Sequence, residues 1–260
     1  VGLSLLVLIA LSTIFADFLA PYDPLKVGRE GLAVPSLKHL MGTDSVGRDM
    51  LSRILFGGRI SLTVGFIAVG IAAMLGTTIG TVGGYFGGRV DAIVVMLLDV
   101  MLAFPGLLLA LTIVATLGPG LRNLMIAVGI GNVPTFARVI RSTALVEKEK
   151  DYVLAARIIG CGHARIITRH VLPNAIAPLI VLATLNIGWA ILSAASLGFL
   201  GLGAQPPTPE WGSMANTGRL YIQSAPWLIA FPGLAIMITV LAANLTGDGL
   251  RDALDPRLRV

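Results

Sequence analysis

Little in this sequence is equipped for covalent chemistry. It has no G-x-x-x-x-G-K-[ST] phosphate loop, no H-E-x-x-H pair and no G-x-S-x-G elbow. The one cysteine, Cys161, can form neither an internal disulfide nor a cysteine metal cluster. His39, His163 and His170 all fall outside the apolar stretches. What remains is polar groups set deep in apolar runs. Asp99 lies nine residues past Val90, about 13 Å along a helix. A carboxylate at such depth must face a bundle interior, pair, or carry a proton. Two readings stand: a group lining or gating a pathway, or a structural partner at a kink beside Phe104-Pro105. Asn186 and Asn244 divide in the same way, between pathway groups and hydrogen-bonding glue between helices. Asp91, beside Arg89, reads as a boundary charge. An intramembrane protease needs a nucleophile with its base, or two aspartates, at depth, and only Asp99 is so placed.

A second stretch carries a different signal. Residues 151–173 read DYVLAARIIGCGHARIITRHVLP, a basic, helix-prone insert between long apolar runs. Residues 151–159 form one short helix and 164–171 a second. Gly160 and Gly162 stop the first with a left-handed cap, and Leu172-Pro173-Asn174 turns into the next run. Ala155 and Ala156 give the first helix a small, smooth surface able to enter a groove. A plain connector needs no glycine-bounded helix pair, so the segment reads as a docking surface for a soluble partner.

The elements around these residues are those of a membrane protein. Hydrophobic residues make up 55% of the 260 and charged residues 13%, half the charge of a typical soluble domain. Mean hydropathy is +0.87 and pI about 9.8. The basic residues flank apolar spans, which points to orientation and anionic headgroups and away from nucleic acid. A bilayer core takes about 20 apolar residues, and six runs qualify: 1–20, 60–82, 90–117, 124–140, 176–200 and 227–245. The fourth is the weakest, being interrupted by Asn132 and Pro134. The first reads as a retained helix in preference to a cleaved signal peptide. The fold class is therefore all-α, a polytopic membrane protein with six transmembrane helices. Eleven of the nineteen Lys and Arg lie in the 83–89 turn, the 138–173 loop and the tail after 245. That set faces the cytoplasm, with both termini, and the 21–59 and 201–226 loops face outward. Within 39–59, Asp44 or Ser45 caps a short interfacial helix, Met50, Leu51, Ile54 and Leu55 sharing one face while Arg48, Asp49 and Arg53 point away. Gly76, Gly80, Gly84 and Gly88 recur by four, a stripe for close helix approach, of which Gly76 and Gly80 are secure within the span.

The 138–173 loop resembles the cytoplasmic signature of the membrane subunits of binding-protein-dependent ATP-binding-cassette importers: E-A-A, three residues, G, nine residues, I, one residue, L-P. The match is Leu154-Ala155-Ala156, Gly160 and Leu172-Pro173 with spacings kept, Leu154 standing for Glu and His170 for Ile. Y-V-x-A-A-R-x-x-G with R-H-x-L-P-N is similar to the dipeptide, oligopeptide and nickel branch. So are G-T-D-x-x-G-R-D-x-x-S-R at 42–53, G-A-Q-P-P-T-P-E-W-G at 203–212 and G-D-G-L-R-D-x-L-D-P at 247–256. The resemblance covers essentially the whole chain and points to the second of two permease subunits.

It implies the type I importer permease fold, in a bacterial inner membrane. The parts are an N-terminal transmembrane helix (1–20), an extracytoplasmic loop (21–59) and a core transmembrane domain (60–260) holding the coupling loop 141–173. The implied partners are a homologous permease, two ATPase subunits, an extracytoplasmic binding protein and membrane lipid, with no nucleic acid. This chain would bind no cofactor or metal and would not be an enzyme; ATP and Mg belong to the ATPases. Leu154, Ala155, Ala156, Arg157, Gly160, Gly162, Leu172 and Pro173 are the implied coupling residues, with Leu154 in place of a contact-making acid. Peptide is the cargo that the wording of 203–212 and 247–256 favours. Nickel is the alternative, though no His or Cys lies within a span to hold it. A membrane anchor without transport, or an ion-coupled secondary transporter, would be a different class. The transporter would call for more ionisable groups in the spans and for inverted repeats.

Overall fold

Apolar runs punctuated by Gly and Pro become helices, and the computed structural model describes residues 1–254 of them. Asp255, Pro256, Arg257 and Arg259, which enter the motif and charge readings above, lie outside the described residues. The chain runs through α1 (Gly2–Ile14), α2 (Ala16–Leu19), α3 (Met50–Phe86), α4 (Gly88–Leu102), α5 (Gly106–Leu117) and α6 (Leu121–Glu147). Then come α7 (Asp151–Ile158), α8 (His163–Ile166), a π turn (Ile167–Val171) and α9 (Leu172–Phe199), followed by α10 (Trp211–Gly218), a 3-10 turn (Arg219–Tyr221) and α11 (Trp227–Leu254). Extended pairing among the described residues is limited to an isolated bridge between Thr43 and Asp49.

Among the described residues, four helices are long and apolar enough to cross a membrane: α3, α6, the continuous stretch His163–Phe199 and α11. The expected 90–117 span is instead α4 and α5, bent by 86° at a short break. Pro105 is the N-cap of α5 and has no N–H to donate, and the residue before a proline disfavours the α region. The 1–20 run gives a 13-residue apolar helix, α1, ended at Phe15. The six-span expectation thus becomes four spans, one bent pair and one shorter apolar helix. The run with Asn132 and Pro134 is no weak span: α6 passes through both, with each residue buried. In membrane bundles, neighbouring helices can satisfy what a proline leaves open.

The centre of the bundle is α3 against α6. Gly76, Gly80 and Gly84 lie along this crossing. A Cβ at Gly80 would stand 2.4 Å from the Ala137 carbonyl oxygen, and one at Gly84 2.6 Å from that of Arg141. Gly84 therefore belongs to the packing stripe, inside a helix that runs on to Phe86, while Gly88 opens α4 with open space around it. Leu124, Val128 and Phe136 of α6, Val64, Ala68 and Ala72 of α3 and Ile191 of α9 fill the core.

At the α10 end the 39–59 expectation is overturned. No separate interfacial helix forms: Asp49 caps α3 itself, its carboxylate accepting from the Ser52 N–H at 2.8 Å, and α3 runs unbroken into the span. Asp44 instead closes a turn, accepting from the backbone N–H groups of Val46 and Arg48. Nor do the charges point away. Asp44, Asp49 and Arg53 are buried. Arg48 donates to Asp44 at 2.6 Å, and Arg53 reaches the carbonyls of Pro24 and Pro207. Buried charge is tolerated when paired and hydrogen-bonded, and here it ties the 20–49 segment to the 201–210 loop.

Glu210 does comparable work nearby. It is 2% exposed, caps α10 by accepting from the Gly212 and Ser213 N–H groups at 2.8 Å, and accepts from Ser61 Oγ of α3 at 3.4 Å. Burial pushes its carboxyl above its ordinary 4.5, with the backbone bonds pulling it partly back. Glu210→Ala should cost about 1–2 kcal/mol through the lost cap. Because the folded pKa is raised, this carboxyl's contribution is complete below pH 4.5 and falls as pH rises through the folded value. The melting temperature of the purified protein should therefore fall with rising pH above 4.5 more in wild type than in Glu210→Gln. Parallel curves would contradict the assignment.

Candidate functional site

The insert between α6 and α9 folds as a hairpin of α7 and α8 at the opposite end of the bundle. Val153 and Ala156, three apart on α7, are buried. With Ile166 and Val171 they pack on Tyr85, from the end of α3, and Ala144 of α6. The same face carries a polar tie: Tyr85 Oη and His163 Nδ1 are 2.9 Å apart, and the Arg157 guanidinium sits 5.3 Å over the Tyr85 ring. The other face is left open. Ala155 is exposed, Leu154 is 39% exposed, and Ile158 and Ile159 reach 86% and 79%. Two adjacent isoleucines this open, outside any spanning helix, are an apolar patch without a partner among the described residues.

Gly160 ends α7 in the left-handed conformation, φ +82°. The Cys161 N–H donates to the Ala156 carbonyl and the Gly160 N–H to that of Arg157, both at 3.0 Å. This is the Schellman pattern, with Cys161 and Ala156 in one apolar cluster beneath it. Gly162 plays another part from the one expected: at φ −66° it is the extended N-cap of α8. Ala156 also departs from expectation, since it faces the bundle while Ala155 faces outward.

The hairpin is tied to both neighbouring spans. α6 extends to Glu147, so the polar segment begins there and not at 138 or 141. Tyr152 Oη donates to the Glu147 carboxylate, which also accepts from Lys150 Nζ at 2.6 Å. That bond pushes the Tyr152 phenol up to about 12. Asn174 Nδ2 closes the ring, donating to Tyr152 Oη at 3.0 Å and to the His170 carbonyl at 2.7 Å. Leu172-Pro173-Asn174 makes no turn. The chain passes from α8 through the π turn into α9, with Leu172 and Pro173 in the first turn of α9. Proline cannot donate to the carbonyl four residues back and its ring crowds that site. The i−5 bond from the Leu172 N–H to the Ile167 carbonyl widens the helix just ahead of it. Glu147 and Tyr152 brace the hairpin in a way the sequence alone does not show; the available signal is Tyr152 within Y-V-x-A-A and Asn174 within L-P-N.

The deep polar groups are dispersed. Asp99 Oδ1 accepts from Arg138 Nη2 of α6 at 2.6 Å. Asp91 is no mere boundary charge: Arg141 donates to both its oxygens, Nη2 to Oδ2 at 2.6 Å. The spans thus carry two ion pairs where the sequence reading counted one deep acid. Asn186 of α9 accepts from Asn132 of α6 at 3.1 Å and donates to the Leu182 carbonyl, as helix glue would. Asn244 of α11 is exposed, beside an open groove with Leu192, Met237 and Val240. The structure places Asp99, Asn186 and Asn244 on three different helices, with no hydrogen bond between them among the described residues.

Residues 72–260 match the family described as binding-protein-dependent transport system inner membrane component. The chain belongs to this family. Among curated relatives, the dipeptide transport system permease protein of Alkalihalophilus pseudofirmus is 50% identical over all of this chain and 86% of its own length. The glutathione transport system permease protein of Escherichia coli is 48% identical, over 97% of this chain and 84% of that one. Among solved structures, the MetNI methionine ABC transporter in an inward-facing conformation superposes with TM-score 0.65 at 19% identity, covering 79% of this chain and 98% of that chain. That likeness gives the fold, a type I importer permease. In this inner-membrane transport component the α7–α8 hairpin and the deep ion pairs lie within the matched region.

Proposed function

We propose that this chain is one of two permease subunits of an ATP-driven importer that carries peptides delivered by an extracytoplasmic binding protein. One observation carries the proposal: a capped hairpin at one end of the spans presents Ile158 and Ile159 with no partner among the described residues. The names of its relatives support the cargo class, since a dipeptide and glutathione are both small peptides. On this reading the hairpin faces the cytoplasm, with both termini, and α7 seats in a cleft of an ATPase subunit that holds ATP and Mg. Leu154, Ala155, Arg157 and Gly160 form the docking face, while Ala156, Gly162, Leu172 and Pro173 hold it in position. The 201–226 segment, at the far end, meets the binding protein. Asp99, Asn186 and Asn244 belong to the pathway side of the subunit.

ATP closes the paired ATPases, the seated helices follow, and the spans rock between inward and outward openings. Nucleotide does this only by binding the two states with different affinity. The test is co-purification. An Ile158→Glu, Ile159→Glu permease should insert and pair with its partner permease, yet retain less than a tenth of the wild-type ATPase. Full retention of ATPase by that variant would overturn the docking assignment.

A further inference from the structure

The two ion pairs joining α4 to α6 are built differently. Asp91–Arg141 is a closed fork, two hydrogen bonds between side chains 18% and 27% exposed. Asp99–Arg138 rests on a single bond, Nη2 to Oδ1, with both side chains more than half exposed, 55% and 57%. Among the described residues neither group makes another hydrogen bond, so Arg138 keeps spare donors and Asp99 a spare oxygen. Both sit about 13–17 Å from the α7 end of their helices, within elements apolar enough to lie in a membrane. An open ion pair there must face water or protein, because lipid cannot solvate it.

The neighbourhood on α6 agrees. Thr135, Arg138 and Ser142, at i, i+3 and i+7, are all exposed, a polar stripe on a spanning helix. The exposed side of α4 is by contrast apolar, with Met96, Leu97 and Val100. A guanidinium with free donors fits a carboxylate, and a carboxylate with a free oxygen fits an ammonium. These are the two ends of a free peptide.

We infer that the Thr135–Arg138–Ser142 stripe and Asp99 form a water-lined wall of the conduit, where Arg138 engages the carboxylate and Asp99 the ammonium of a zwitterionic cargo. This rests on the importer reading above and deepens it. Asp91–Arg141 stays closed and keeps α4 against α6 while the outer pair exchanges partners.

Two measurements test it in the complete importer, with partner permease, ATPases and binding protein in lipid vesicles. In a Cys161→Ser background, Thr135→Cys and Ser142→Cys should react with a membrane-impermeant cationic thiol reagent at least tenfold faster than Leu97→Cys. Rates within twofold of Leu97→Cys from both faces would overturn the water-lined wall, and the ion pair is intact in this arm. In the second arm, Arg138→Gln should lower uptake from a library of free dipeptides at least tenfold while binding-protein-stimulated ATP hydrolysis persists. Should that variant fail to assemble, Arg138→Lys replaces it, with a smaller loss expected. Wild-type uptake in Arg138→Gln, or recovery in the charge-swapped Asp99→Arg, Arg138→Asp protein, would mark the pair as structural and sink the cargo role. If wild type imports none of the dipeptides, the peptide reading fails, while the labelling result still decides the wall.

Discussion

Gly160→Val should leave the protein in the membrane and stop it from working. Gly160 holds φ +82° with nothing within 4 Å of where a Cβ would stand, so the substitution meets no collision. Its whole effect is conformational. A left-handed residue other than glycine costs about 1–2 kcal/mol, and a β-branched one fits there worst. The cap bonds from Gly160 and Cys161 would yield, α7 would fray from Ile158 onward, and the exposed isoleucines would lose their fixed bearing. Uptake by the reconstituted importer should fall at least tenfold, with membrane-inserted protein within twofold of wild type. Gly160→Asn, which tolerates the left-handed region, should keep a large part of the activity. Normal uptake by the valine variant would show that the bearing of α7 is immaterial at this position.

Gly80→Val should act at the opposite extreme, on the existence of the fold. A Cβ there meets the Ala137 carbonyl oxygen at 2.4 Å and the Arg141 nitrogen at 3.0 Å, both backbone atoms that cannot rotate aside. α3 and α6 would have to part along a seam that also includes Gly76 and Gly84. In lipid, close packing supplies most of the attraction between helices, so the loss extends past one contact. A cost of about 3 kcal/mol, at the upper end for overpacking, should appear as a large drop in melting temperature or in recoverable protein. Gly70→Val is the control. It lies on the same helix with open space around it and should behave as wild type. Equal stability of the two variants would mean that the α3–α6 seam is not close-packed.

These two glycines also mark how far the sequence could be read. Gly160 was legible because a left-handed stop leaves a local trace, a helix-prone run broken by glycine. The spacing of Gly76 and Gly80 identified a packing face, but its partner, α6, sits more than 50 residues on and only the tertiary fold names it. Arg53 read as a solvent-facing charge because its acceptors, the Pro24 and Pro207 carbonyls, are 29 and 154 positions away. Asp99 is legible as a deep acid, while its companion Arg138 reads as part of a loop because Pro134 hides the continuity of α6. The 86° bend at Pro105 is foreshadowed by the proline itself; its size, with α5 packed on α6, is not encoded by any local pattern.

The missing turn at Leu172-Pro173-Asn174 has a mechanical consequence. Residues 163–199 form one 37-residue rod, about 55 Å from end to end. Its far end packs on α10, where Gly212 lies against Ala195. A tilt of only about 5° imposed at His163 would carry Phe199 sideways by about 5 Å over that length. The π turn and Pro178 near its first end are the places where such a shaft can flex, so motion delivered at one face of the bilayer reaches the other through the unbroken length beyond them.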